Sequence, residues 1–222
     1  MRLRRKADTI DLLQGKERIV LDAKQWKGRW SELFQHPSAP IHAELGMGKG
    51  RFISELARLH PDMNFIGMDR YEELIRRAYD KALAVGDGEM PGNLVLVRAN
   101  VEYIDDMFAE SELSRIYLNH SDPWPKKRHE NRRLTHPRFM HKYMQILKPD
   151  GEIHLKTDAA SLFEYSLNVF AEMNLPMRQI RLNLHADGTP PNHVFTEYEQ
   201  KFVNEGLPIY RVEVCMNNGA GS

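Results

Sequence analysis

Ile41-His42-Ala43-Glu44-Leu45-Gly46-Met47-Gly48-Lys49-Gly50-Arg51 joins a short apolar run to three glycines at alternate positions. An amphipathic stretch, Arg51 to Leu59, follows at once. The run reads as a strand and the stretch as a helix. Glycine between them permits a tight turn and lets a ligand approach backbone amides at a helix N-terminus. Nineteen residues past Gly50, a second apolar run, Asn64 to Met68, ends in Asp69. A carboxylate at that place suits a ribose diol. Glu44, two residues before Gly46, would repel a pyrophosphate and would favour an ammonium or sulfonium group.

The pattern continues outward from this unit. Helix is expected over Glu72–Val85, strand over Leu94–Val97, a short helix near Tyr103–Phe108 and strand over Arg115–Asn119. Thr135 is expected to cap a helix that has Pro137 in its first turn and runs to Leu147. Strand over Glu152–Lys156 and helix over Ala159–Met173 come next. Two last strands, Met177–His185 and Ile209–Met216, flank a polar segment, residues 186–208. Upstream, Asp22 is expected to cap a helix over Ala23–Phe34 whose Trp26 and Trp30 pack in the core. Repeated strand–helix alternation means an α/β fold with a parallel sheet covered on both faces. A closing strand pair without a helical crossover would be antiparallel.

Length and composition bound the rest. The 222 residues fit one domain with small additions: a basic, partly ordered arm over 1–20, the domain over 21–216 and a disordered tail over 217–222. Lysine and arginine total 31, as do aspartate and glutamate, so any basic site must come from local asymmetry. The single cysteine, Cys215, excludes an intrachain disulfide and points to a reducing cytosol. No apolar run is long enough for a membrane span, and the basic N-terminus lacks the apolar core of a signal peptide. Nothing in the sequence demands a metal or a protein partner, and both monomer and homodimer stay open.

The second decisive stretch is Asn119-His120-Ser121-Asp122-Pro123-Trp124-Pro125-Lys126-Lys127-Arg128-His129-Glu130-Asn131-Arg132-Arg133. Its prolines exclude mid-helix and mid-strand positions, so it is a stiff loop at the end of the fourth strand. Ligands of open α/β sheets bind at such strand ends. The loop therefore sets one acid, Asp122, beside an aromatic and a dense run of cations suited to a polyanion.

The glycine loop, Asp69 and the strand-end Asn100 together resemble the class I methyltransferases that use S-adenosylmethionine. That resemblance implies a Rossmann-like, mostly parallel seven-stranded sheet with an antiparallel closing strand and helices on both faces. It also implies cofactor contacts at Glu44, Gly46, Gly48, Gly50, Asp69, Asn100 and Asp122. The run D-P-W-P-K-K-R-H, with E-L-G-M-G-K-G before it and T-E-Y-E at Thr196–Glu199, resembles the bacterial tRNA (guanine-N7-)-methyltransferases over residues 40–214. This implies a catalytic role for Asp122. Substrate contacts are implied at Lys126, Asp158, Thr196, Glu197, Tyr198 and Glu199, and RNA contacts at Arg128, His129, Glu130, Asn131, Arg132 and Arg133. Family members often carry Glu in place of Asp69 and Asp in place of Asn100.

The activity so implied is methylation of the variable-loop guanosine of tRNA at N7 in the cytoplasm. Guanine N7 carries a lone pair and no proton, so in-line displacement needs alignment and no obligatory general base. Asp122 could offset the positive charge left on guanine or accept from its N1 and N2 donors. On residues alone, Asp158 could instead cap the helix at Ala159, and Glu197 and Glu199 could lie on a solvated helix face. Trp124 could stack on a freed base or simply pack. Competing activities are methylation of an exocyclic amine and non-catalytic RNA binding on a degenerate Rossmann fold. Amine methylation commonly uses a second proline where this chain has Trp124. Non-catalytic RNA binding sits badly with the intact Glu44, Asp69 and Asp122.

Overall fold

The structure, a computed structural model, describes residues 9–216. The tail over 217–222 and the first eight residues of the basic arm lie outside the described residues. The chain forms two compact units, residues 1–109 and 110–222.

The first unit opens with helix α1 (Thr9–Leu13) and strand β1 (Ile19–Val20). Next come β2 (Ile41–Leu45), α2 (Arg51–Leu59), β3 (Asn64–Asp69), α3 (Glu72–Val85) and β4 (Leu94–Arg98). The strands lie in the order β1-β4-β3-β2 and every pair is parallel. Every residue of β2 and β3 is buried, as expected for parallel strands covered on both faces. Gly50 sits at the N-cap of α2 with φ +77°. A Cβ there would stand 2.5 Å from the Cβ of Ala78 on α3, so glycine is needed both for the turn and for the approach of the two helices.

The second unit runs β5 (Leu113–Asn119), α4 (Pro137–Ile146), β6 (Leu147–Thr157), α5 (Ala160–Glu172), β7 (Met177–Arg181), α6 (Glu197–Asn204) and β8 (Tyr210–Cys215). β5 and β6 are parallel, and β8 is antiparallel to both β6 and β7. The expected closing strand is therefore present. The described residues hold eight strands against the seven expected. The added one is β1, which pairs two residues of the basic arm with Leu96 and Val97 on the edge of β4.

Two expectations about local structure fail for identifiable reasons. No helix spans Ala23–Phe34; two short 3-10 turns, Lys24–Trp26 and Trp30–Leu33, stand there. Gly28, at φ +76°, breaks the run between them. Trp30 is nevertheless wholly buried, stacked on Phe108 with its indole N–H donating to the Met107 carbonyl at 2.8 Å. Thr135 does not cap α4. The His136 Nδ1 does so, accepting from the Arg138 N–H at 3.2 Å, while the buried Thr135 hydroxyl pairs with Ser166 at 2.8 Å. The polar segment over 186–208 holds helix α6, opened by a reciprocal cap between Thr196 and Glu199.

Candidate active site

Each unit carries one part of the expected site. In the first, Gly46 and Gly48 adopt φ of +77° and +61°, and a Cβ added at either would meet no atom within 4 Å. The loop surface is thus open where a side chain would otherwise stand, which suits close approach of a ligand to backbone. Glu44, next to last in β2, is only 2% exposed. Asp69 ends β3 and is 8% exposed. Its Oδ2 accepts from the Gly48 N–H at 3.1 Å and its Oδ1 from the Tyr71 N–H at 3.0 Å, so it braces the glycine loop directly. Burial pushes the Asp69 carboxyl above its ordinary value, against the opposing pull of these backbone N–H groups. Asn100, two residues past β4, is exposed, and its side-chain oxygen accepts from the Glu102 N–H at 3.1 Å. Two acids, open glycines and a strand-end amide form a donor set that fits the cationic arm, ribose and base of S-adenosylmethionine.

In the second unit, β5 ends in a bent segment. His120 and Trp124 both have positive φ, +48° and +41°, although neither is glycine. Asp122 between them is exposed to solvent. His120, with a side chain only 3% exposed, directs Nδ1 to the Asp158 carboxylate at 3.0 Å. Burial alone would raise the Asp158 carboxyl, but the His120 hydrogen bond, its own backbone N–H and the neighbouring imidazole hold it below the usual range. Asp158 does not cap α5: the Thr157 hydroxyl takes the Ala159 N–H at 3.1 Å. His120 also packs its ring near Tyr198 and Phe202 of α6, with centroids 6.4 and 5.8 Å away.

The basic run forms a 3-10 turn over Lys127–Arg132, entered through Lys126. Lys126, Lys127, Arg128, Asn131 and Arg132 are exposed; His129 and Glu130 are half-buried. The Arg132 guanidinium lies 4.9 Å from the Trp124 ring centroid, and the His129 ring meets Trp124 edge-on at 5.7 Å. Trp124 is therefore half-buried between its own neighbours. Arg133 differs from the rest of the run in being buried.

Thr196 to Glu199 enter α6, and here the solvated-face reading fails. Glu199 is wholly buried. Its Oε1 lies 2.9 Å from His185 Nε2 and 2.7 Å from His193 Nε2, within hydrogen-bond reach of both rings. Its Oε2 accepts from the Lys156 ammonium at 2.7 Å and the Thr196 N–H at 3.4 Å. Burial would raise this carboxyl; the His193 hydrogen bond and the Lys156 charge outweigh it and hold the group far below its ordinary value. His185, His193 and Glu199 place possible metal-ligand atoms within 4.8 Å of one another. The Lys156 ammonium lies against the other oxygen of the same carboxylate. Tyr198, by contrast, is 57% exposed. Neither Lys156 nor the three histidines figured among the expected site residues. His120 stands inside the N-H-S-D-P-W-P motif, but the other three carry no local pattern that marks them.

A family model described as "Putative methyltransferase" matches residues 38–212. The tRNA (guanine-N(7)-)-methyltransferase of Geobacillus kaustophilus is 47% identical over 214 residues, 96% of each chain. That of Streptococcus sanguinis is 45% identical over 97% of this chain and 99% of its own. That of Bacillus licheniformis is 47% identical over 96% and 98%. Among solved structures, an antibiotic-related methyltransferase aligns with a TM-score of 0.61 at 14% identity, covering 88% of this chain and 94% of its own. A variant of the 16S rRNA (adenine(1408)-N(1))-methyltransferase of Catenulisporales acidiphilia, with cosubstrate SAM, aligns at 0.61 and 14% identity over 91% and 94%. The structural likeness establishes the class I methyltransferase fold, and the sequence identity over nearly the full length goes further: the chain belongs to the bacterial tRNA (guanine-N(7)-)-methyltransferase family.

Proposed function

We propose that this chain transfers the methyl group of S-adenosylmethionine to N7 of a guanosine in tRNA, the variable-loop guanosine being its target. The observation that carries the reading is the 45–47% identity to full-length relatives of that activity. The family match spans both compact units, which supports residues 21–216 as one methyltransferase domain. Among the described residues no helix is long and apolar enough to cross a membrane. We place the protein in the cytosol, as monomer or homodimer.

Bound S-adenosylmethionine supplies a methyl group activated by a sulfonium. Glu44 offers that cation a buried counter-charge, and Asp69 offers acceptors to the ribose while holding Gly48 in place. Asn100 is placed to hydrogen-bond the base. Guanine N7 needs no deprotonation, so the acceptor side has only to orient the ring and offset its developing charge. Asp122, exposed on a stiff loop, carries that part. Lys126, Arg128 and Arg132 form an exposed cationic track for phosphates. Asp158, held by His120, and the exposed Tyr198 serve the substrate guanosine. Glu199 serves it at one remove, by fixing Thr196 and the start of α6.

The test is methylation of unmodified tRNA with labelled cofactor, followed by mass spectrometry of the nucleosides. The product expected is N7-methylguanosine; an amine-methylated nucleoside, or none, overturns the reading. Asp122→Ala should cut turnover roughly 100-fold or more with the fold intact by circular dichroism. Replacing Lys126 and Arg132 together by alanine should raise the tRNA KM about tenfold and flatten its salt dependence, leaving cofactor affinity unchanged.

A further inference from the structure

Arg133 belongs by charge to the cationic run, yet it faces inward. Its residue exposure is 8%, whereas Lys126, Lys127, Arg128 and Arg132 are exposed. Its Nε donates to the Pro123 carbonyl at 3.2 Å and its Nη2 to the Trp124 carbonyl at 3.1 Å. The guanidinium plane is backed by the Tyr165 ring on α5, 4.2 Å from carbon to centroid. Its backbone is pinned as well: the N–H donates to the Glu130 carbonyl at 3.0 Å, and the carbonyl accepts from the His136 N–H at 3.0 Å.

The carbonyls it holds are those of the segment with the greatest need. Trp124 sits at φ +41°, a region that bulky residues occupy only when the surroundings over-determine it. Pro123 and Pro125 have no N–H, so this stretch has few donors with which to close a turn on itself. A planar fork that carries charge can satisfy two successive carbonyls at once, and no other side chain offers that geometry. Asp122 is covalently joined to Pro123, so holding the Pro123 carbonyl restrains the backbone from which the Asp122 side chain projects.

We propose that Arg133 is a positioning residue for the acceptor loop and makes no contact with RNA. It locks the Pro123-Trp124 backbone against α5 and the N-terminus of α4, and so aims Asp122. This rests on the reading of Asp122 as the acceptor-side group in methyl transfer.

The experiment compares Arg133→Lys and Arg133→Ala with Arg132→Ala in full-length protein on unmodified tRNA. Lysine keeps the charge but loses the fork, so Arg133→Lys should lower kcat roughly 10- to 100-fold, the cost of about an ångström of misplacement. The tRNA KM and its salt slope should not move. Millimolar ethylguanidinium should restore several-fold of the kcat lost in Arg133→Ala and do nothing for Arg132→Ala. In a 15N-indole spectrum, Arg133→Lys should displace the Trp124 signal and leave that of the wholly buried Trp30 unmoved. A raised tRNA KM with a flattened salt slope at unchanged kcat would make Arg133 an RNA contact and overturn the proposal. Wild-type kcat with an unmoved Trp124 signal would overturn it too. Should the wild-type enzyme make no N7-methylguanosine, a displaced Trp124 signal would retain the positioning role while the functional reading fell.

Discussion

The glycine loop of the first unit and the proline loop of the second bend the chain in the same unusual way by opposite means. Gly46, Gly48 and Gly50 reach positive φ because they have no Cβ to object. His120 and Trp124 reach it although they do, and the strain is contained by partners: Asp158 on His120, and Arg132 and His129 on the Trp124 ring. Arg133 holds the carbonyls on either side of the bend. The first loop is bent by composition and the second by its surroundings. A ligand that needs open backbone is served by the first kind. A side chain that must be aimed is served by the second, because rigidity then comes from a network that can be placed residue by residue.

Three measurements would sharpen or break this contrast. The largest effect is expected at the cluster beneath α6. Glu199→Gln leaves the Lys156 ammonium buried without its counter-charge, which should cost about 3–5 kcal/mol near neutral pH. Because the folded Glu199 is held below its unfolded value of about 4.3, its contribution is full above that pH and is lost as pH falls below it. The difference between wild type and variant in urea melts should therefore shrink steadily below pH 4. A gap that stayed constant into acid would show that the cluster is not held by charge.

Next comes Gly50→Ala, which adds a Cβ 2.5 Å from that of Ala78 at φ +77°. Backbone strain and overpacking together should cost about 2–4 kcal/mol in the same melts, with loss of cofactor affinity by calorimetry. A neutral result would mean that the first loop, too, is set by its surroundings. The smallest stability change is expected for Trp124→Gly. Relief of a left-handed residue should offset the lost ring contacts, so stability should stay within about 1 kcal/mol while turnover falls. A large destabilisation would show that Trp124 is a core residue first.

Legibility follows the same divide. Ile41–Leu45 into the glycines, Asp69 at its place after β3 and the strand–helix alternation were readable because each depends on neighbours close in sequence. Ala23–Phe34 misled because its apolar spacing is helical while Gly28, in the middle, takes φ +76°. Thr135 looked like the cap of α4, but Ser166 on α5 claims its hydroxyl. Asp158 looked like a cap with equal reason, and His120, 38 residues away, claims its carboxylate. In the last two cases a long-range partner displaced a local one.

Sequence alone determined the α/β class, the glycine turn after β2 and the proline-stiffened bend after β5, because glycine, proline and hydrophobic periodicity act through the local backbone. Only the tertiary structure decided what the charged residues do. Arg132 and Arg133 are chain neighbours of the same type, yet one is exposed over Trp124 and the other is buried against Tyr165. Glu197 and Glu199 share a helix turn, but only Glu199 is wholly buried and paired with Lys156. A charge has no preferred partner until folding sets its burial and the distance to its opposite, and for Glu199 that opposite, Lys156, lies 43 residues away in sequence.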